Sequence, residues 1–250
     1  MVGRTIKKWW PIFVLPTFAA FVIGFLWPFI WGIYLSFCKF TTVNDVTFVG
    51  FSNYSKILLD NTFSHSFWLT VVFAFVSSIL INVLAFFIAL ALTKGYRGTN
   101  AFRTVFFMPN LIGGIVLGYV WQLLLNGILA HFQKTLTYSS KYGFWGLVIL
   151  MLWQQIGYMM IIYISGIQNI PGELIEAAQI DGASSIQQFR YITVPQVSPT
   201  TFFLAIMGII GSFKVFDMIS VLTAGGPGNS TSVMAYYIYK TAFTDFKMGY

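Results

Sequence analysis

The chain has 250 residues, of which 57% are apolar, 19% aromatic and only 8% charged, and its formal net charge is +7. This composition excludes a soluble domain, in which about 25% of residues are charged, and a disordered chain, which is poor in aromatic residues. The scattered basic residues form no nucleic-acid-binding motif, and a single cysteine, Cys38, excludes a disulfide scaffold. We therefore expect an all-α integral membrane protein.

Five stretches are long and apolar enough to cross the hydrocarbon core of a bilayer, which takes about 20 residues. The first is too long for a signal-peptide core and no A-x-A cleavage pattern follows it, so we interpret it as a retained span. We expect one transmembrane domain over residues 1–250, with the tail, residues 223–250, at the outer interface. The predicted spans cover approximately residues 10–37, 67–92, 102–125, 144–167 and 197–222.

Basic residues near the ends of the predicted spans favour a cytoplasmic N-terminus. Arg4, Lys7 and Lys8 precede the first span, and three more basic residues lie in residues 94–103. With residues 168–196 on the same side, the inside segments carry seven Lys and Arg residues, against six outside. The positive-inside rule therefore favours this orientation by a narrow margin.

Small and polar residues inside the spans suggest how the helices pack. Gly114 and Gly118 form a G-x-x-x-G pattern, which permits close approach of two helices but also arises by chance in membrane helices. Asn82 in the second span is interpreted as a packing hydrogen bond.

The 169–196 segment differs from its surroundings because it is rich in charge and helix punctuation. Asn169 and Pro171 are helix start signals, and Gly182 is a natural stop. Ser185 and Gln188 have the S-x-x-Q spacing of a capping box, which predicts a second helix. We expect a helix, a glycine bend and a second helix in a cytoplasmic loop. The charged residues of this segment are Glu173, Glu176, Asp181 and Arg190.

Two interpretations of this segment follow from its chemistry. Its small residues allow a partner surface to approach closely, while Glu176 and Asp181 offer negative charge to a basic cleft. Alternatively, the helix rests on the bilayer. Such helices usually carry Lys and Arg on their polar face, whereas this segment has Arg190 alone.

The same segment resembles a known motif. Residues 176–183 read EAAQIDGA and, with Phe189, Ile192 and Pro195, resemble the EAA loop of permease subunits of binding-protein-dependent ABC importers. A resemblance to the branch that imports oligosaccharides and glycerol phosphate extends to residues 170–174 (IPGEL), 102–107 (FRTVFF) and 223–227 (TAGGP). The resemblance covers most of the chain.

The resemblance implies a non-catalytic permease subunit of an ATP-driven sugar importer in the bacterial inner membrane. The EAA helix would lie in a groove of a separate ABC ATPase dimer, which holds the ATP and Mg²⁺, so that no cofactor is expected on this chain. Further implied partners are a second permease subunit and an extracytoplasmic solute-binding protein. Family members normally have six core spans, and the sixth is absent from this sequence. The residues assigned to ATPase coupling are Glu176, Ala177, Ala178, Asp181, Gly182 and Ala183.

Polar residues in the fourth and fifth predicted spans are candidates for sugar binding, because polar groups are costly in lipid and because the resemblance implies a site between these spans. Gln154 and Tyr158 share a helix face, and Lys214 and Asp217, three residues apart, could form an ion pair. The alternatives are interhelical hydrogen bonds for the glutamines and snorkelling of Lys214 and Asp217 to the outer interface. The candidates are Gln154, Gln155, Tyr158, Ser212, Lys214 and Asp217, with Trp153, Phe213 and Phe216 for stacking.

An ion-coupled secondary transporter of a small polar solute is the alternative function. Such proteins often use intramembrane carboxylates as proton relays, and inverted repeats, whereas Asp217 is the only carboxylate in the predicted spans. A membrane enzyme or metal site would need a side-chain cluster, which His65, His131 and Cys38 do not form. No P-loop is present, and the glycine-rich residues 225–231 predict a turn.

Overall fold

The computed structural model describes residues 2–40, 45–95 and 98–248, with side chains from residue 9 onward. The side chains of Arg4, Lys7, Lys8 and Arg97, on which the predicted orientation partly rests, lie outside the described residues, as do Gly249 and Tyr250 of the predicted tail. The described chain is almost entirely helical, which confirms the predicted all-α class. Its backbone groups into two compact units, residues 1–61 with 238–250 and residues 62–237. The single transmembrane domain expected from the sequence stays a prediction.

The first unit is built on one long N-terminal helix. A hairpin of two short antiparallel strands follows, in which Cys38 pairs with Phe48. The buried amide of Asn53 donates to the carbonyl oxygens of Ser36 and Cys38, at 3.0 and 2.9 Å, and so fixes the turn after the long helix. The elements are α1 (Val2–Phe21), α2 (Trp27–Ser36), β1 (Cys38–Lys39), β2 (Thr47–Phe48) and α3 (Ser52–Leu59).

The second unit contains the helices that pack on one another. Its buried core is formed mainly by the two longest helices, together with the helices of residues 194–222. The elements are α4 (Asn61–Leu92), α5 (Thr99–Phe107), α6 (Gly114–Ala130), α7 (Ser140–Gln168), α8 (Gly172–Ile180), α9 (Ser185–Gln188), α10 (Val194–Phe213), α11 (Asp217–Leu222) and α12 (Met234–Tyr239). The first residue of α4 and the last residues of α12 fall outside the bounds of the second unit.

Two turns of π-helix each end two residues before a proline. The turn Val22–Leu26 joins α1 to α2 ahead of Pro28, and the turn Phe189–Thr193 joins α9 to α10 ahead of Pro195. Proline lacks an N–H, and its ring clashes with the carbonyl four residues earlier. A π turn, whose hydrogen bonds reach five residues back, accommodates the proline without ending the helix. Residues 9–36 and 185–213 are therefore each one continuous helix.

Two of the predicted spans are not single helices. Residues 102–125 were expected to form one span, but α5 with its 3-10 turn (Met108–Leu111) meets α6 at 103°. Residues 197–222 were expected to form another, but α10 ends at Phe213 and α11 begins at Asp217. Four described helices are individually long and apolar enough to cross a membrane, and a fifth span results if the bent pair is counted as one.

Small residues let the helices of the second unit approach closely. A Cβ on Gly118 would stand 3.2 Å from the carbonyl oxygen of Met218 in α11, and one on Gly208 would stand 2.9 Å from the Ser78 hydroxyl in α4. A Cβ on Gly157 would collide with the backbone carbonyl of Phe106 in α5. Contacts of this kind are typical of helix packing in lipid, and the G-x-x-x-G pattern of α6 is one of them.

A buried polar network ties α4 to α7. The Tyr163 hydroxyl donates to the Asn82 amide oxygen at 2.8 Å, and the Asn82 amide nitrogen donates to the carbonyl oxygen of Ser78 at 2.8 Å. The prediction of a packing hydrogen bond at Asn82 is thus confirmed.

Candidate functional site

The 169–196 segment begins with a helix whose two ends are determined by local sequence. Pro171 is the N-cap residue of α8, and Glu173 lies in the first turn, where the positive end of the helix dipole favours a carboxylate. At the other end, Gly182 has φ +77°. The N–H of Gly182 donates to the carbonyl of Gln179 at 3.1 Å, and that of Ala183 donates to the carbonyl of Ala178 at 2.8 Å. These two bonds define a Schellman motif, which requires the left-handed residue that glycine supplies.

The second helix of the segment begins one residue earlier than predicted. The capping box is formed by Ser184 and Gln187, not by Ser185 and Gln188. Ser184 has the extended conformation of an N-cap residue, and its N–H donates to the Gln187 side chain at 2.7 Å. The Gln188 side chain instead donates to the carbonyl of Ala183 at 2.9 Å, so it also braces the turn between the two helices.

Aromatic contacts hold the second helix of the segment against the membrane helices. The ring of Phe189 lies 6.0 Å from that of Phe86 in α4, which lies 5.3 Å from that of Tyr163 in α7. Because α9 continues through the π turn into α10 without a break, movement of the segment would be transmitted directly along a helix that extends to Phe213.

The face that the segment presents outward carries both charge and apolar surface. Glu176, Ala177, Asp181 and Gly182 are exposed, whereas Ala178 and Ala183 are half-buried. Ile180 is 86% exposed and Ile186 is 77% exposed, although isoleucine is among the residues that are most often buried. Sequence reasoning missed both isoleucines, although Ile180 lies four residues after Glu176 and so falls on the same face of α8.

The polar residues of α7 lie in two environments. Gln154 is buried, with 7% exposure. Gln155 and Tyr158 are half-buried, and the Gln155 amide lies 3.5 Å from the Gln154 side-chain oxygen. The nearby ring of Trp153 packs on Trp121 in α6, with ring centres 5.5 Å apart. Gln155 and Tyr158 are therefore the α7 candidates whose side chains keep exposed surface that a solute could contact.

Ser212 lies in the contact between α10 and α4. It has no exposed surface in this chain, its hydroxyl donates to the carbonyl of Gly208 at 2.8 Å, and it lies 3.2 Å from the Ser77 hydroxyl. Both hydrogen-bonding partners of Ser212 are thus supplied by its own chain.

Lys214 and Asp217 do not form the ion pair that their spacing suggested. Lys214 is the C-cap of α10, and the backbone leaves the helix before Asp217 starts α11, so the two residues no longer share a helix face. Lys214 is exposed, whereas the carboxyl group of Asp217 occupies the position that a Cβ on Gly114 would take.

The Asp217 carboxylate thus lies at the first turn of α6. The N-cap of that helix, Gly113, provides no side-chain cap, so a carboxylate nearby complements the positive end of the helix. At the other end of α11, the Gln122 amide of α6 donates to the carbonyl oxygens of Val221 and Leu222, at 2.8 and 3.3 Å. Sequence reasoning missed Gln122, because nothing local links it to residues about 100 positions later.

Asp217→Asn is expected to destabilise the packing of α11 on α6. Removing a charge from a helix N-terminus costs about 0.3–1 kcal/mol, which corresponds to a melting-temperature decrease of about 1–4 °C at this chain length. Thermal unfolding in detergent checks this, with Asp45→Asn at an exposed position as the control. An unchanged melting temperature combined with weaker uptake would instead assign Asp217 to solute contact.

The remaining features considered from the sequence are the glycine-rich residues 225–231 and the two histidines. Residues 225–231 form the predicted turn, in which Gly225, Gly228 and Asn229 have positive φ. His65 and His131 are exposed, and no group of three or more metal-ligating side chains occurs among the described residues.

The chain is similar to known membrane transport proteins. The family described as "Binding-protein-dependent transport system inner membrane component" matches residues 81–248. The probable starch degradation products transport system permease protein AmyD of Thermoanaerobacterium thermosulfurigenes is 38% identical, over 96% of this chain and 85% of the relative. The sn-glycerol-3-phosphate transport system permease protein UgpA of Brucella abortus is 31% identical, over 96% of this chain and 86% of the relative.

A solved structure has the same fold. It is a bacterial alginate ABC transporter in complex with alginate pentasaccharide-bound periplasmic protein, and one of its chains superposes with a TM-score of 0.81 at 21% identity, covering 98% of this chain and 88% of that chain.

The family match, together with helices long and apolar enough to cross a membrane, identifies the membrane component of a transport system. The chain belongs to the family of binding-protein-dependent transport system inner membrane components. It is a transmembrane permease of an ABC importer, a non-catalytic component whose ATPase is a separate subunit. This assignment decides between the two functions considered from the sequence, in favour of the importer over the ion-coupled transporter.

Proposed function

We propose that this chain forms part of the translocation pathway for a sugar or oligosaccharide, and that its 169–196 segment docks on a separate ATPase subunit. The relatives support the cargo class, since AmyD is named for starch degradation products and UgpA for glycerol 3-phosphate. The complete complex would contain an ABC ATPase dimer, a second permease subunit and an extracytoplasmic solute-binding protein. The N-terminus and the 169–196 segment would face the cytoplasm.

The observation that carries the docking proposal is the exposed face of α8. Glu176 and Asp181 supply negative charge, and between them Ile180 leaves 86% of its surface uncovered. Interfaces typically combine a buried apolar anchor with charges that steer the partner. The Schellman turn and the Phe189 contact hold this face in a fixed orientation relative to α10, as a coupling element requires.

For the solute, we propose Gln154, Gln155, Tyr158, Ser212, Lys214 and Asp217 as the polar residues of the pathway in this chain. Gln155, Tyr158 and Lys214 have exposed or half-exposed side chains and are the candidates for direct contact. Gln154, Ser212 and Asp217 are more enclosed and would support the wall from behind. No cofactor is assigned to this chain, because the ATP and its Mg²⁺ would be bound by the ATPase.

Charge reversal at Glu176 tests the docking proposal. Glu176→Lys is expected to reduce co-purification of the ATPase subunit, and ATP-driven uptake of maltose-type oligosaccharides in proteoliposomes, by about tenfold or more, which corresponds to at least 1.4 kcal/mol of interface energy. Asp45→Lys makes the same charge change at another exposed position and should leave both unchanged. If Glu176→Lys retains both ATPase binding and uptake, α8 is not the coupling element.

A further inference from the structure

We propose that a groove between α6 and α7 binds an anionic phospholipid, with an acyl chain between the helices and the phosphate at the lysines where α7 begins. The groove encloses about 410 Å³, and its walls are almost entirely apolar. Leu125 and Ile128 of α6 line one side, and Trp145 and Ile149 of α7 line the other. This inference concerns the lipid environment and does not depend on which solute is transported.

The dimensions of the α6–α7 groove match one leaflet of a bilayer. Lys141, Trp145 and Ile149 are spaced four residues apart and so follow one face of α7 inward from its first turn. At about 1.5 Å per residue, they span roughly 12 Å along the helix, which is close to half of the roughly 30 Å hydrocarbon core. Ile128 and Ile149 are 61% and 44% exposed, so the groove is open from the side.

The charge at the mouth of the groove selects the headgroup. Lys141 lines the groove, and the Lys134 ammonium donates to the Tyr142 hydroxyl at 3.1 Å, at the same end of α7. The hydrogen bond to Tyr142 raises the pKa of Lys134 above its usual value. No acidic residue occurs in the sequence between Asp60 and Glu173, so neither lysine is neutralised by a nearby carboxylate of α5, α6 or α7.

The apolar wall and the cationic mouth contribute differently. An acyl chain leaves bulk lipid to enter the groove, so contact with apolar walls gives little preference for one lipid over another. Selectivity must come from the two ammonium groups, because basic residues near a membrane surface attract anionic headgroups. Phosphatidylglycerol is therefore expected to occupy the groove at least about fivefold more than phosphatidylcholine with the same acyl chains, which is the preference that one surface lysine provides.

Photocrosslinking tests the site. The full chain, purified with its co-purifying subunits, is placed in nanodiscs containing phosphatidylglycerol or phosphatidylcholine with a diazirine on one acyl chain, and adducts are mapped by mass spectrometry. We expect adducts on residues 125–149 with a fivefold or greater preference for phosphatidylglycerol. Equal labelling by the two lipids, or labelling that is lost because a second permease subunit covers the groove, would overturn the proposal.

Variants separate the contribution of the lysines from that of the apolar groove. The double variant Lys134→Gln with Lys141→Gln should remove the headgroup preference while leaving residual labelling. The control Lys56→Gln, at an exposed lysine outside the groove, should leave the headgroup preference unchanged. Ile128→Trp should fill the groove and reduce labelling with both lipids. Leu123→Trp, on α6 with 58% exposure but outside the groove lining, is the matched control. If the two groove variants behave like their controls, the labelling reflects bulk lipid and the proposal fails.

Discussion

Gly157→Ala is expected to lower the melting temperature of the purified protein by about 2–12 °C. The added methyl would collide with the backbone carbonyl of Phe106 and stand 2.7 Å from the backbone nitrogen of Phe107. Because the obstruction is backbone and not a flexible side chain, α5 must move away from α7 to accommodate it. Overpacking of this kind costs about 1–3 kcal/mol, occasionally more, which converts to the stated shift at this chain length.

The consequence should extend to transport, because α5 leads into the 103° bend before α6. Displacing α5 changes the position of that bend, so we expect ATP-driven uptake to fall together with the melting temperature. Gly127→Ala is the matched control, since Gly127 also lies inside a helix but has no atom within 4 Å of its Cβ position. It should be neutral or slightly stabilising, because alanine favours helix more than glycine. Equal melting temperatures for the two variants would contradict the packing described for Gly157.

Gly182→Val is expected to reduce ATPase association and ATP-driven uptake by about tenfold without unfolding the membrane helices. Gly182 has φ +77°, and a Cβ there would meet no atom within 4 Å. The effect is therefore conformational: a β-branched residue resists the left-handed region at a cost of about 1–2 kcal/mol or more, and the turn that orients α8 relative to α9 is lost. Co-purification of the ATPase subunit and uptake in proteoliposomes measure this.

Gly182→Asn separates backbone geometry from side-chain bulk. Asparagine also ends helices in the left-handed conformation, so this variant should retain most of the association and uptake. The melting temperature of both variants should stay close to that of the unsubstituted protein, because the segment is exposed. If asparagine and valine impair uptake equally, the left-handed turn is not what coupling requires.

The 169–196 segment shows how far local sequence signals reach. Pro171 and Gly182 predicted the start and the stop of α8, and both act as expected, because caps and left-handed turns depend on neighbours only a few residues away. Asn169, the other predicted start signal, is instead the C-cap of α7. The capping box was placed one residue too late. The sequence offers two adjacent serines, each followed three residues later by a glutamine, and only the path of the chain after Gly182 selects Ser184.

The long helices could also be predicted, since a run of about 20 apolar residues has no stable alternative in lipid. The breaks between α5 and α6 and between α10 and α11 could not be predicted from the sequence. The first interruption contains Pro109, Asn110 and Gly113, and the second lies between Lys214 and Asp217. Single residues of these kinds also occur inside continuous membrane helices, so the sequence pattern predicted one span in each region. In the structure, the end of α5 before the bend is packed against α7 at Gly157, and α11 is packed against α6 at Gly118.

The sequence by itself therefore determined the membrane class, the apolar helices and the helix–glycine–helix segment, because each depends on composition or on residues close together in the chain. Only the tertiary structure decided the surroundings of the polar residues. It placed Ser212 against Ser77 and the Asp217 carboxylate at the first turn of α6, and it left Ile180 uncovered. These environments depend on contacts between residues up to 135 positions apart. Such contacts are set by how the helices pack and not by the order of the helices along the chain.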